Sequence, residues 1–131
     1  MKFSVNDSCP CGSTKKYKKC CKTFHDKIAF PKTALELMKS RYSAYSTSNA
    51  KYIIETTHKD NPDFTDNIKE WENDILIFCN NTKFEKLEII KNSENLGFGK
   101  ACNIGAKNSQ SDFILFLNPD AMVYEDTFQK L

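Results

Sequence analysis

The sequence predicts an α+β fold: a small cysteine-rich knuckle, then three helices, then a βαβ unit. Three observations predict it. Four of the six cysteines lie between residues 9 and 21. Between residues 33 and 79, apolar side chains recur at intervals of three and four, as on one face of a helix. The apolar run at 113–117 is typical of a strand buried on both faces of a parallel sheet.

The first element is the cysteine segment, which has the ligand spacing of a structural zinc site. Two close pairs provide the thiolates: Cys9, Cys11, Cys20 and Cys21. Tetrahedral zinc needs two such pairs, and four thiolates leave no open position for a substrate. Disulfides would need an oxidising compartment, and no export signal is present. Cys79 and Cys102 remain, each expected as a small buried apolar residue.

The loop between the two cysteine pairs carries its own signals. Pro10 limits one φ angle and Gly12 frees another, so together they shape the first turn. Tyr17 offers the knuckle an apolar contact. Four lysines can offset the negative charge of the thiolates: Lys15, Lys16, Lys18 and Lys19.

Three helices follow the knuckle. Thr33 and Glu36 have the spacing of a capping box, which predicts a helix over 33–46. Ser46 or Ser48 is the N-cap candidate of a second helix that stops before Pro62. A third helix is predicted to start at Thr65 or Asp66 and to end before Asn80 and Asn81. Its expected apolar stripe is Ile68, Trp71, Ile75 and Phe78.

The last part of the chain predicts the βαβ unit. Leu87 and Ile89 alternate with Glu88 as in a half-buried strand over 84–90. A short helix over 97–107 is expected to turn Phe98, Ala101, Cys102 and Ile104 inward. The second strand is 113–117, closed by Asn118, Pro119 and Asp120, and a last helix is predicted to begin at Tyr124.

Charge is unevenly distributed along the 131 residues. The net charge of +2 combines an N-terminal excess, seven lysines against Asp7 and Asp26 in residues 1–30, with an acidic remainder. A basic segment of this kind is a common feature of proteins that bind nucleic acid. Binding of nucleic acid is not expected, because only Tyr17 and Phe24 could stack on bases. Compensation of thiolate charge is the favoured interpretation.

The sequence predicts a cytoplasmic protein without a membrane span. No apolar run approaches the ~18 residues that a membrane-crossing helix needs. The N-terminus reaches acidic Asp7 before any hydrophobic stretch of signal-peptide length.

The cysteine segment resembles the SEC-C motif. The match covers all four ligand positions, with Cys-Pro-Cys-Gly-Ser at 9–13 and Lys-Tyr-Lys-Lys-Cys-Cys at 16–21. The resemblance implies structural Zn²⁺ held by the four cysteines. It also implies a module that acts by binding a protein partner through the knuckle, a partner whose identity the sequence does not give.

The middle of the chain resembles the YchJ-like family of small bacterial proteins, from about residue 8 to about residue 90. The resemblance rests on 34–45, with Asn49, Thr57, His58 and Trp71 among the later matches. It implies part of a nuclear-transport-factor-2-like cone, with three helices leading into a curved sheet. The further strands expected after Ile90 are absent from the sequence. Five residues could line a cavity mouth or simply belong to a packed core: Arg41, Tyr42, Tyr45, His58 and Trp71.

The tail resembles a family 2, rhamnosyltransferase-like glycosyltransferase of the GT-A kind. About forty residues match, across 89–106 and 111–121. The resemblance implies that Asp120, and secondarily Asn118, holds Mg²⁺ or Mn²⁺ against a nucleotide sugar. The strand that binds the base and the half that carries the general base are both missing.

Three domains are therefore predicted: a SEC-C zinc knuckle over 1–25, an incomplete YchJ-like region over 30–90, and a glycosyltransferase-like fragment over 91–131. The favoured function is a zinc-binding, non-catalytic interaction module. The alternative is a glycosyltransferase fragment or fusion that binds a nucleotide sugar with a divalent metal. An enzymatic activity is not expected, because the transferase-like tail is incomplete.

Overall fold

The computed structural model describes residues 3–90 and 92–110. These residues form one 3₁₀ turn and five α-helices: Tyr17–Lys19, α1 at Cys21–His25, α2 at Ala34–Ser46, α3 at Ala50–Glu55, α4 at Ile68–Asn81 and α5 at Phe98–Asn108. The chain divides into two compact units, Met1–Glu88 and Ile89–Leu131.

Helix α2 begins as the sequence predicts. The Thr33 hydroxyl accepts a hydrogen bond from the Glu36 amide at 3.1 Å. The Glu36 carboxylate reaches back and accepts from the Lys32 amide at 2.7 Å. One amide of the first turn and the amide that precedes the N-cap are therefore satisfied, and the predicted helix over 33–46 is confirmed.

Helix α3 is capped by Asn49, not by Ser46 or Ser48. The Asn49 side chain accepts from the Tyr52 amide at 3.2 Å. Ser46 still belongs to α2, and Ser48 adopts a left-handed φ of 53°, which lies outside the extended backbone typical of an N-cap. The turn closes when the Asn49 amide donates to the Ala44 carbonyl at 2.8 Å.

Helix α4 runs slightly later than predicted, from Ile68 to Asn81, and Asn81 forms its last residue instead of a turn. It buries Ile75 and Cys79, whereas Ile68 and Phe78 are about half exposed. The inward face therefore follows a spacing of four from Trp71 through Ile75 to Cys79. At 14 residues α4 is the longest described helix, and none of those helices is long and apolar enough to cross a membrane.

One hydrophobic core joins the helices of the first unit. It is centred on Ile53 and contains Ala44, Ala50, Tyr52, Ile53, Ile75 and Cys79. Partly buried side chains pack against it: Phe24, Tyr45, Ile54, Trp71 and Leu76. The prediction that Cys79 is a small buried core residue is confirmed.

The predicted strand over 84–90 is not formed, so the βαβ unit has no support. Residues 82–90 have no regular secondary structure, and the described ranges contain only an isolated bridge between Ser8 and Lys16. The expected partner strand, 113–117, lies outside the described residues. Alternation marks which side chains share a face, but a strand also needs a neighbour for its backbone hydrogen bonds. Phe84 instead joins an aromatic cluster with Tyr42, Tyr45 and Phe78.

Helix α5 follows Gly97, whose φ of 75° is easily reached only by glycine. The helix itself was predicted over nearly the same residues. The residues predicted to face inward are not buried. Phe98 is 65% exposed, Ala101 is exposed, and Cys102 and Ile104 are half buried. Small residues allow close packing, but they supply little apolar surface to drive it.

Candidate metal centre

The four predicted ligands lie on two tight turns. Cys9 and Cys11 flank the first, where the Gly12 amide donates to the Cys9 carbonyl at 3.3 Å. Cys20 and Cys21 lie where the 3₁₀ turn meets α1. The Cys9 amide donates to the Lys15 carbonyl at 2.8 Å, and this bond closes the loop that brings the two pairs together.

The four sulfur atoms converge on one point. All of them lie within 4.8 Å of one another, and the Sγ atoms of Cys11 and Cys20 are 3.5 Å apart. Thiolates on tetrahedral zinc, at ~2.3 Å from the metal, would lie roughly 3.8 Å from each other. All six cysteines of the chain are free thiols. The donor set and its spacing therefore fit a four-coordinate zinc ion.

Gly12 has two reasons to be glycine. Its φ is 75°, in the left-handed region. A Cβ atom added to it would lie 3.1 Å from the Leu87 carbonyl oxygen, so the backbone of residue 87 approaches the turn closely. The predicted role of Gly12 in shaping this turn agrees with both observations.

Cys9 differs from Cys20 and Cys21 in how readily its thiol ionises. Burial by itself would raise the pKa of Cys9, but hydrogen bonds from the Cys11 and Cys21 amides and from the Ser43 hydroxyl lower this pKa to about 7. Burial raises the pKa of Cys20 and, more strongly, that of Cys21. Cys9 therefore ionises more readily than Cys20 and Cys21, and a bound dication would favour deprotonation of those two sulfurs.

Residues outside the ligand set contact the sulfurs, and the sequence did not reveal them. The Ser13 hydroxyl lies 3.1 Å from the Sγ of Cys20. The Ser43 hydroxyl, on α2, lies 3.6 Å from the Sγ of Cys9. Ser13 is within the motif and could have been named from sequence. Ser43 is 34 positions from Cys9, and only the folded chain brings the two together.

His25 is a further residue that the sequence reading missed. The Tyr17 hydroxyl donates to its Nδ1 at 2.6 Å, and its Nε2–H donates to the Ser40 carbonyl at 2.9 Å. Burial lowers the pKa of His25, so the neutral ring is favoured. The ring also packs on Tyr52, with centroids 4.5 Å apart. His25 therefore links the knuckle to α2 and α3.

The lysines of the loop form an exposed cationic surface, which we call the lysine face: Lys15, Lys16, Lys18 and Lys19. All four line a shallow cavity of about 570 Å³. Only Lys15 and Lys19 also line the smaller cavity, about 230 Å³, that opens on Cys11, Cys20 and Cys21. Two of the four lysines therefore border the cavity at the thiols, where they could offset thiolate charge.

The five candidate cavity residues do not share one site. Arg41, Tyr42 and Tyr45 line an open apolar groove of about 430 Å³ along α2. His58 is largely exposed, and Trp71 packs against the helical core. The Nη1 group of Arg41 donates to acceptors within the first unit: the Ile53 carbonyl at 2.9 Å, the Thr56 hydroxyl at 2.7 Å and the Thr57 hydroxyl at 3.1 Å. Asn118 and Asp120 lie outside the described residues.

Comparison with known families gives two matches. Residues 6–22 match the SEC-C motif, which contains all four cysteines. Residues 33–102 match the family described as YchJ, middle NTF2-like domain. The second match continues past Ile90, into the segment that resembles a glycosyltransferase by sequence. Neither match is a glycosyltransferase family, and nothing in the comparisons supports that resemblance or a site for Mg²⁺ or Mn²⁺.

Several curated bacterial proteins are similar to the chain. A UPF0225 protein of Haemophilus influenzae strain PittEE is 38% identical over 90 residues, which are 67% of this chain and 52% of that protein. A UPF0225 protein of Serratia proteamaculans is 35% identical over 86 residues, 66% of this chain and 53% of that protein. The chain spans about half the length of these two relatives. No solved structure matches it.

The family assignment rests on extent as well as on similarity. The match to the middle domain covers more than half of the chain and includes α2, α3 and α4. The SEC-C match precedes it, in the order that the sequence predicts. The chain belongs to the family of YchJ middle NTF2-like domains and carries a SEC-C motif at its N-terminus.

Proposed function

We propose that this chain is a zinc-stabilised, non-catalytic module that binds an acidic surface of a protein partner through its lysine face. The observation that carries the proposal is the convergence of four cysteine sulfurs beside four lysines. A complete set of four thiolate ligands gives zinc a structural role, since no position stays open for a substrate. Zinc would then hold the loop that displays the lysines.

The first step of the proposal concerns the metal. The reduced protein should hold about one zinc per chain, bound by Cys9, Cys11, Cys20 and Cys21. Serine substitution of these four should abolish zinc uptake in metal analysis. The same substitution at Cys79 and Cys102 is the control, and it should leave zinc uptake intact. Zinc content near zero in the reduced wild type, or its loss on changing Cys79, would contradict the assignment.

The second step concerns the charge of the partner. Two neighbouring lysines are already paired: Lys22 with Asp26 at 2.7 Å and Lys27 with Glu55 at 2.9 Å. No member of the lysine face forms an ion pair with any other residue in the part of the chain that the structure describes. Unpaired ammonium groups around one cavity favour an anionic partner.

A protein partner is favoured over nucleic acid by the aromatic side chains. Tyr17 is buried, and its hydroxyl bonds to His25. Phe24 packs against the helical core. Neither of these two rings is offered to a base, so they provide no platform for the stacking that supplies much of the affinity for single-stranded nucleic acid.

Poly-L-glutamate is a suitable probe of this surface. The double variant Lys16→Glu/Lys18→Glu should bind it about tenfold more weakly than wild type, and salt should weaken the wild type toward the same level. Lys51→Glu/Lys69→Glu changes the net charge equally on exposed positions of α3 and α4, and should bind nearly as wild type. An equal loss of poly-L-glutamate binding in both variants would show that net charge, and not the lysine face, determines binding. Tighter binding of poly-uridylate than of poly-L-glutamate would favour the nucleic-acid reading instead.

A further inference from the structure

Two serines on α2 are completely buried on the side of the helix that meets the knuckle. Ser40 and Ser43 each have 0% exposure. A buried hydroxyl needs hydrogen-bond partners, because leaving it unsatisfied costs free energy. Ser40 donates to the Leu37 carbonyl and bonds to the Tyr52 hydroxyl, both at 2.8 Å. Ser43 has no such partner within α2 or α3.

The partner of the Ser43 hydroxyl is a sulfur atom. The hydroxyl lies 3.6 Å from the Sγ of Cys9. Cys21 also lies against α2, with its Sγ 3.8 Å from the Lys39 carbonyl. A hydroxyl beside a ligand thiolate donates into the negative charge that a zinc–tetrathiolate site carries.

We infer that Ser43 is a positioning residue of the metal centre, which holds the Cys9 thiolate against α2 and so couples zinc binding to the packing of the helical core. The inference rests on the proposed zinc site and extends it beyond the SEC-C segment. Residues that hydrogen-bond metal ligands fix their orientation and tune the affinity of the site. Here that residue is supplied by a different part of the chain.

The path from the metal to the core is short. Ala44, the neighbour of Ser43, belongs to the hydrophobic core with Ile53 and Ile75, and Trp71 packs against that core. Tyr17, His25 and Ser40 form a second, parallel connection between the knuckle and α2. Any change in how the knuckle contacts α2 should therefore reach the single tryptophan of the chain.

The test compares two serine variants of the full chain that lose the same atom. Ser43→Ala removes the hydroxyl at the Cys9 thiolate, and Ser40→Ala removes one that bonds only to Leu37 and Tyr52. Zinc affinity is measured by competition with a chromophoric chelator, and the site is also loaded with Co²⁺ to record the thiolate-to-cobalt charge-transfer band. Trp71 fluorescence follows the core during both titrations.

Ser43→Ala should bind zinc about tenfold or more weakly and shift the charge-transfer band. It should also reduce the zinc-dependent change in Trp71 emission. Ser40→Ala should lower thermal stability while keeping the wild-type band and affinity. Should Ser43→Ala fail to fold, Ser43→Thr and Ser43→Val provide an isosteric pair, of which only the threonine should keep the wild-type band.

Two outcomes would overturn the inference, and they are distinguishable. Wild-type zinc uptake with an unchanged band and affinity in Ser43→Ala would leave the metal site standing and make Ser43 an ordinary buried serine. A reduced wild-type protein that takes up no zinc would overturn the proposed function and this inference together.

Discussion

Helices α4 and α5 carry similarly clear apolar stripes, yet they differ in what those stripes contact. In the first unit, α4 buries Ile75 and Cys79 in a core that α2 and α3 share. In the second unit, no residue of α5 is buried within the described range. A periodic pattern is thus enough to specify a helix, but a core also needs partners of matching shape and sufficient apolar area.

The largest effect on this contrast is expected from truncation of a core side chain. Ile53→Ala should cost about 2–5 kcal/mol in the free energy of unfolding, because Ile53 is 1% exposed and a cavity would remain. Urea unfolding followed by Trp71 fluorescence measures it. Ile104→Ala, the same chemical change at a half-buried site on α5, should leave this midpoint unchanged. Equal losses would mean that the two units unfold as one.

The next largest effect should come from Arg41, whose side chain makes partly buried polar contacts in the first unit. Arg41→Met removes the three hydrogen bonds that Nη1 donates near the end of α3, at an expected cost of roughly 1–3 kcal/mol. Lys51→Met, at an exposed position on α3, is the control and should change stability little. Similar effects of the two variants would show that the Arg41 hydrogen bonds contribute no more than the surface does.

A smaller effect should follow from the N-cap of α2. Thr33→Ala leaves the Glu36 amide without its side-chain acceptor, and the loss should be about 1 kcal/mol by the same urea measurement. Thr82 follows the end of α4, and its hydroxyl caps no helix. The control variant Thr82→Ala should therefore leave stability nearly unchanged. A neutral Thr33→Ala would indicate that packing alone fixes the start of α2.

The smallest expected effect is a gain in the second unit. Gly105→Ala should stabilise α5 by up to about 1 kcal/mol, because a Cβ there meets no atom within 4 Å and alanine is the better helix former. Helix content by circular dichroism and amide exchange within 98–108 would report it. Gly97→Ala should do the opposite, since φ is 75° at that position. Loss of helix in Gly105→Ala would reveal packing on that face of α5.

The sequence predicted the local features of the first unit well. The Thr33–Glu36 capping box gave the start of α2. The spacing from Trp71 to Ile75 gave part of the inward face of α4, although the predicted Ile68 and Phe78 are about half exposed. Both signals are carried by residues within one or two helical turns. The four cysteines were likewise proposed from spacing alone, and their sulfurs converge in the structure.

What failed depended on distant parts of the chain. Alternation at Leu87 and Ile89 suggested a strand, but the described residues contain no neighbouring strand to pair with it. The cap of α3 was placed on a serine, because the left-handed φ of Ser48 is not visible in the residue type. Ser43 and His25 were not selected, because nothing local to a serine or histidine indicates that a thiol or a tyrosine hydroxyl lies beside it.

The hydrogen bonds of His25 have a spectroscopic consequence. A carbonyl can only accept, so the proton must reside on Nε2, and Nδ1 is left to accept from Tyr17. The ring is therefore fixed in a single tautomer for as long as the knuckle is seated on α2. Release of the knuckle would free both nitrogens to water and allow the two tautomers to exchange. The ¹⁵N shifts of one imidazole thus report, without any mutation, whether the two parts of the first unit are joined.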